Sequence, residues 1–240
     1  MNMDIKPLEI QQITKNYDHN LVLDNVSLSL VPGELFGLIG LNGVGKTTLI
    51  KIILDLTRPD SGHVNLFNES STIAKTRRNI SYLPEKFQPS RYLRGKEYLA
   101  LACSYFGKGF DYERAKHEAT LLDLNPDTLE NKVGSYSKGM GQKLGLVGAF
   151  LVDAPFLILD EPMSGLDPRA RIMLKEKLLA CKAQGKTIFF SSHILSDIDE
   201  ICDRIGIISD QKLIFLGTPQ EFKLTHPAES LEKSFLRAIA

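Results

Sequence analysis

The chain has 240 residues, 43% of them hydrophobic, and 29 Lys+Arg balance 29 Asp+Glu to a formal net charge of zero. This length carries one domain, or one domain with distinct lobes, around a sizeable core. The charge balance excludes the global basic field that gathers nucleic acid. The three cysteines, Cys103, Cys181 and Cys202, form no C-x-x-C pair. That argues against a disulfide framework or a structural zinc, and suits a reducing cytosol.

The N-terminus, MNMDIKPLEI, carries Asp4 and Glu9 and lacks an apolar signal core. Alternating apolar residues at Leu21, Leu23, Val26, Leu28 and Leu30 predict strands between Leu8 and Leu30, and Pro32-Gly33 turns the chain into a buried strand, Leu35 to Ile39. An apolar helix follows through Leu49 to Leu54. Arg58 to Gly62 reads as a turn, His63 to Phe67 as a strand, and Ile80 to Leu83 as a short strand ended by Pro84. From Glu85 to Val152 the pattern turns helical, with apolar residues at helical spacing over Lys96–Phe106 and Tyr112–Leu122, separated from the next helix by Asn125-Pro126-Asp127. Leu144 to Leu159 is the most membrane-like segment, but Asp153 and Pro155 split it into pieces shorter than the roughly 20 residues a span needs. It predicts a buried helix followed by a buried strand, in a chain soluble by itself. Further parallel-strand signals come at Phe156–Leu159, Thr187–Phe190 and Ile205–Ile208, with a helix from Pro168 to Lys182 between the first two. The pattern is an α/β core interrupted by a helical insert.

Two stretches carry the chemistry. Between the Leu35–Ile39 strand and the following helix lies GLNGVGKTT, Gly40, Leu41, Asn42, Gly43, Val44, Gly45, Lys46, Thr47 and Thr48. Its spacing is G-x-x-x-x-G-K-[ST] in the strand–loop–helix context that gives the motif meaning. Glycines let backbone N–H groups turn inward on phosphate oxygens at a helix N-terminus. Lys46 can reach the outer phosphates, and the Thr47 hydroxyl suits Mg²⁺, which prefers oxygen ligands. The loop is expected to be surface-exposed, so that removing Lys46 leaves folding intact. The second stretch is FLILDEP, Phe156 to Pro162. A strand ending in two carboxylates puts Asp160 and Glu161 at the carboxyl edge of the sheet, where ligands bind in open α/β folds. Asp160 can hold Mg²⁺, directly or through water, and Glu161 can polarise an attacking water as a general base.

Further motifs resemble one family. YSKGMGQKLGL, Tyr136 to Leu146, is similar to the LSGGQ signature of ATP-binding cassette (ABC) ATPases, with Ser137 as a natural helix N-cap. Ser164-Gly165-Leu166-Asp167 resembles the family's D-loop, and His193 in FFSSH its switch histidine. The resemblance spans about Leu8 to Phe222, with the motifs in the family's order. It implies that Tyr17 stacks on adenine, and that Ser137 and Gly139 approach the γ-phosphate of a neighbouring subunit. The chain departs from the pattern at Glu85 in YLPE, where most members have glutamine; its carboxylate is expected near Mg²⁺ or water. Lys138 and Met140 replace a glycine and the glutamine of the signature.

The implied fold is α/β, a P-loop NTPase core with an N-terminal antiparallel β subdomain and an inserted helical subdomain. The expected divisions of a single domain over 1–240 are a catalytic core at 1–84 and 153–220, a helical subdomain at 85–152 and a tail at 221–240. The resemblance implies ATP and Mg²⁺ as cofactors, and a second copy or a paralogous ATPase as partner. It also implies a membrane-spanning permease, which places the chain in the cytoplasm on the inner membrane face, with no nucleic acid. The YLPE, YSKGM and LGTPQEF variants look like ABC-2 type exporters; an import ATPase or a soluble ABC ATPase is the alternative. EKFQPSRYLRGKEY, Glu85 to Tyr98, mixes Phe87, Pro89, Tyr92 and Leu93 with basic residues and is the expected permease-docking stretch.

Overall fold

The computed structural model describes residues 5–239. The N-terminal reading at Asp4 and the last residue of the expected tail lie outside the described residues. Two sheets organise the chain. The first is antiparallel, built from β1 (Leu8–Tyr17), β2 (Asn20–Leu30), β4 (Ser61–Leu66) and β5 (Glu69–Ser70) in the order β2-β1-β4-β5. The second contains β3 (Leu35–Ile39), β6 (Ile80–Leu83), β7 (Phe156–Asp160), β8 (Thr187–Ser192), β9 (Arg204–Ser209) and β10 (Lys212–Gly217), in the order β10-β9-β3-β8-β7-β6. Its pairs are parallel except β10 with β9. The expected α/β fold, with an antiparallel β subdomain and a helical insert, is present.

The parallel strands read as continuous apolar runs because both faces are covered. Their period-two alternation divides the core. Phe36, Leu38, Phe156, Ile158 and Phe189 face the antiparallel sheet and α1 (Lys46–Ile53). Leu35, Ile39, Leu157, Leu159, Ile188 and Phe190 face the other side, among residues of α4 (Lys138–Leu151), α5 (Pro168–Ala183) and α6 (Leu195–Ile201). Phe36 and Phe189, register partners on the adjacent strands β3 and β8, stack with centroids 5.5 Å apart.

Between β6 and β7 the chain forms α2 (Gly95–Tyr105), α3 (Tyr112–Leu121) and α4. Residues 144–159 are a buried helix end and a buried strand, as their apolar pattern predicts. Ser137 caps α4, accepting from the Met140 N–H at 3.2 Å, and Asp167 caps α5, accepting from the Ala170 N–H at 3.0 Å. α7 (Pro219–Thr225) and α8 (Leu231–Ala238) close the chain, with Phe222, Leu231 and Phe235 buried in the same core as α6.

Two hairpins depart from the expected boundaries. β4 begins at Ser61 and ends at Leu66, because Phe67 and Asn68 are both left-handed (φ 53 and 65) and turn the chain into β5. Asp210 and Gln211 (φ 47 and 66) likewise join β9 to β10. Both have positive φ at each central residue, as a type I′ hairpin requires, but neither contains the glycine that advertises one.

Candidate functional site

The carboxyl ends of β3, β7 and β8 converge on one cleft of about 450 Å³, lined by Asn42, Gly43, Gly45, Lys46, Thr47, Thr48, Glu85, Glu161, Ser164 and His193. The loop after β3 runs through Gly40, Leu41, Asn42, Gly43 and Val44 into Gly45, whose φ of 109 only glycine tolerates and whose Cβ would meet the Val22 carbonyl at 2.9 Å. At Gly40 a Cβ would lie 2.6 Å from Val44 Cγ1 and 2.8 Å from the Ile208 carbonyl. The loop therefore packs on β2 and β9 as tightly as its backbone allows. Gly45 is the N-cap of α1 and offers no side-chain acceptor, and the first turn carries no acid. The leading N–H groups of this helix are thus left for an anion.

The tip of the loop, Leu41 to Gly43, is exposed as expected, but Lys46 itself is buried. Its side chain is 6% exposed and Nζ donates to the carbonyls of Gly40 at 2.7 Å and Leu41 at 3.3 Å. It also stands 3.4 Å from Glu161 Oε1. The reason is the inward curl of the loop, which brings its own carbonyls beside the ammonium at the end of β7.

Asp160 lies beneath the cleft and is fully buried. Thr47 Oγ1 donates to its Oδ2 at 2.8 Å, and Ser191 Oγ to its Oδ1 at 2.5 Å. Burial pushes this carboxyl above its usual range; the two hydroxyl bonds pull against the rise, and the charges of Glu85 and Glu161 add to it. Burial, then the charges of Asp160 and Glu85, also hold the neighbouring Tyr82 phenol up to about 12, so it stays neutral. Glu161 is left-handed (φ 51) and 7% exposed. Its Oε2 accepts from His193 Nδ1 at 2.8 Å, while Oε1 is buried without a hydrogen-bond partner among the described residues. A buried carboxylate oxygen in that condition asks for a donor from the cleft, beyond the Lys46 ammonium 3.4 Å away.

These features fit a magnesium nucleotide. Thr47 and Asp160 form an all-oxygen pair of the kind Mg²⁺ uses together with substrate phosphates, and the negative cluster of Asp160, Glu161 and Glu85 favours a cation. Among the described residues there is no group of three or more His, Cys, Asp or Glu placed to chelate a metal alone.

Three expected site residues stand apart. Ser137 lines a separate groove with Glu85, Phe87, Tyr92 and Ser164. Gly139 packs on the backbone at Gly165, where a Cβ would approach the carbonyl to 3.0 Å. Tyr17, at the end of β1, is 44% exposed, does not line the cleft, and has the Lys15 ammonium 5.2 Å from its ring centroid. Sequence reasoning passed over Ser191, which is hydrogen-bonded to both carboxylate residues; its only signal was a place two residues before His193. It also passed over Lys143, whose Nζ bonds Asp123 at 2.9 Å and Asp167 at 3.3 Å and so ties α4 to the loop that starts α5.

A family model described as ABC transporter matches residues 23–164, more than half of the chain, and the chain belongs to that family. It is 41% identical over 203 residues to an uncharacterized ABC transporter ATP-binding protein of Nostoc sp., a match covering 83% of this chain and 60% of that protein. It is 37% identical over 227 residues to the Nod factor export ATP-binding protein I of Burkholderia thailandensis, covering 91% of this chain and 73% of that one. The chain thus spans less than two thirds of the Nostoc relative's length. Among solved structures, an ATP binding subunit of an ABC transporter superposes with a TM-score of 0.88 at 32% identity, covering 95% of this chain and 98% of that chain. A dimeric bacterial ABC transporter cassette shares the fold with a TM-score of 0.80 at 23% identity, covering 88% and 98%. The ABC cassette fold expected from the motifs is therefore the fold of this chain. Among the described residues, no helix is long and apolar enough to cross a membrane.

Proposed function

We propose that this chain binds and hydrolyses Mg-ATP, pairs with a second cassette around it, and drives a separate membrane permease as an exporter ATPase on the cytoplasmic face. The observation that carries the reading is the convergence of Lys46, Thr47, Glu161 and His193 on one cleft at the end of a parallel sheet, with Asp160 hydrogen-bonded to Thr47 beneath it. Loop N–H groups and Lys46 bind the phosphates. Thr47 and Asp160 would hold Mg²⁺, which would supply positive charge against the phosphate oxygens. Glu161 orients water and accepts its proton through Oε1, while His193 fixes Oε2 and keeps the carboxylate aimed. Glu85 borders both the cleft and the groove beside it, where its carboxylate would face the metal side of the site.

Ser137 and Gly139 lie outside their own chain's cleft, which supports their use on a neighbour's nucleotide. Tyr17 is exposed and free to lie against an adenine at the mouth of the site. The export direction rests on the similarity to the Nod factor export ATP-binding protein I of Burkholderia thailandensis and on the exporter-like variants at Glu85 and Lys138. The groove of Glu85, Phe87, Tyr92, Lys132 and Ser137 supports permease docking beside the cleft. The division into a core at 1–84 and 153–220, a helical subdomain at 85–152 and a tail from 221 is supported by where α2 to α4 interrupt the second sheet.

The test is Glu161→Gln, which keeps the shape of the side chain and removes the base. It should bind Mg-ATP, turn over at least ~100-fold more slowly than the parent, and shift from monomer to dimer in sedimentation with Mg-ATP. Undiminished turnover would place the catalytic base elsewhere.

A further inference from the structure

We propose that Ser191 is a positioning residue for hydrolysis, one hydroxyl that sets both the metal-side and the base-side carboxylate. The proposal rests on the Mg-ATP hydrolysis reading above. Ser191 is fully buried on β8, paired in parallel register with Asp160. Its Oγ donates to Asp160 Oδ1 at 2.5 Å and accepts from the Glu161 backbone N–H at 2.9 Å. The proton directions are fixed by chemistry, because a backbone N–H can only donate and an ionised carboxylate can only accept.

Two consequences follow from that relay. Asp160 is held at both oxygens, by Ser191 on one and Thr47 on the other, so its plane cannot rotate. At Glu161 the hydrogen bond anchors the peptide leading into a left-handed residue, φ 51, a conformation that costs a side-chain-bearing residue strain and persists only when its surroundings enforce it. That turn is what sends the Glu161 carboxylate back into the cleft, to 2.8 Å from His193 Nδ1 and 3.4 Å from Lys46 Nζ. A serine that merely satisfied a buried carboxylate would need only the first bond. The second connects it to the base.

The experiment compares Ser191→Ala and Ser191→Thr with the parent in the full chain, each also combined with Glu161→Gln. Steady-state and single-turnover ATP hydrolysis, binding of a fluorescent ATP analogue across a Mg²⁺ titration, and melting temperature are measured. In Ser191→Ala, kcat should fall by ~10- to 100-fold, the cost of a misplaced catalytic group. KM should stay close to the parent's, and the Mg²⁺ concentration for half-maximal analogue binding should rise. Ser191→Thr, which keeps the hydroxyl, should recover most of the rate. In the Glu161→Gln background at saturating Mg²⁺, Ser191→Ala should cost less in single turnover than it does in the parent, because the base it orients is already disabled, and the part that acts through Asp160 should remain as the raised Mg²⁺ requirement. The proposal is overturned if Ser191→Ala leaves kcat intact, if its loss multiplies fully with that of Glu161→Gln, or if rate falls only in proportion to lost folded protein. Should Thr at 191 prove too large to fold, the Glu161→Gln comparison still decides. Failure of the underlying function would show separately, as a parent protein without Mg-dependent hydrolysis.

Discussion

Removing the Lys46 ammonium should damage the fold and the nucleotide site together, and the two effects can be separated. Lys46 and Glu161 are buried side chains, 6% and 9% exposed, with Nζ and Oε1 3.4 Å apart. Breaking a buried pair by deleting one partner costs about 3–5 kcal/mol, because the survivor is left charged in a poorly solvated place. Here the contact is long, Glu161 keeps His193, and the cleft admits some water, so about 2–3 kcal/mol is the expectation for Lys46→Ala. In a chain of this size each kcal/mol moves Tm by about 2–4 °C, which gives a drop of about 5–10 °C. Glu161→Gln added to Lys46→Ala removes the stranded charge and should restore most of that drop. It cannot restore ATP affinity, since a lost charge-assisted bond to phosphate is worth about 1.5–3 kcal/mol, or roughly 10- to 150-fold in Kd. Differential scanning fluorimetry and titration with a fluorescent ATP analogue read the two quantities on the same four proteins. A Lys46→Ala protein that binds ATP like the parent refutes the phosphate-loop reading. Equal Tm values across the series refute the buried-pair argument.

Other expectations follow from the same geometry. Ser137→Arg should abolish hydrolysis while leaving ATP binding to the monomer intact; loss of monomer binding would put Ser137 in the same site as Lys46. Tyr92 is 87% exposed, whereas Phe87 packs edge-on against Tyr98 with centroids 5.2 Å apart. Tyr92→Asp should therefore weaken copurification with a permease without changing Tm, and Phe87→Asp should lower Tm as well; unchanged copurification with Tyr92→Asp would move the docking surface elsewhere. The Lys186 ammonium hydrogen-bonded to Asp153 holds that carboxyl below its unfolded value of 3.8. The stabilisation is therefore present above that pH and lost as pH falls through the folded value. Lys186→Met should cost under about 1 kcal/mol near neutrality, because Asp153 is half exposed. Urea denaturation should show that difference vanishing in acid, and a difference growing in acid would reverse the assignment.

Much of the molecule was legible in the chain. The apolar runs Leu35–Ile39, Phe156–Leu159 and Thr187–Phe190 declared buried parallel strands because strands covered on both faces carry no polar alternation. The glycine loop and the paired carboxylates could be read because their spacing is set locally, by a strand turning into a helix and by a strand ending. The position of Ser137 as a helix cap was equally local in origin. The hairpins at Phe67-Asn68 and Asp210-Gln211 were hard to read, since each has only one turn-favouring residue, Asn68 or Asp210, and lacks the glycine that marks such a turn.

What only the tertiary structure decided is how side chains from distant strands share one volume. The motif assigned Lys46 to phosphates, but only the fold shows the loop curling it onto Gly40 and the end of β7 placing Glu161 beside it. Ser191 is an ordinary strand serine until the parallel register sets it against Asp160, 31 residues away. Backbone spacing is encoded in consecutive residues, whereas a hydrogen bond across a sheet depends on register and burial. Those are fixed only when the whole core packs.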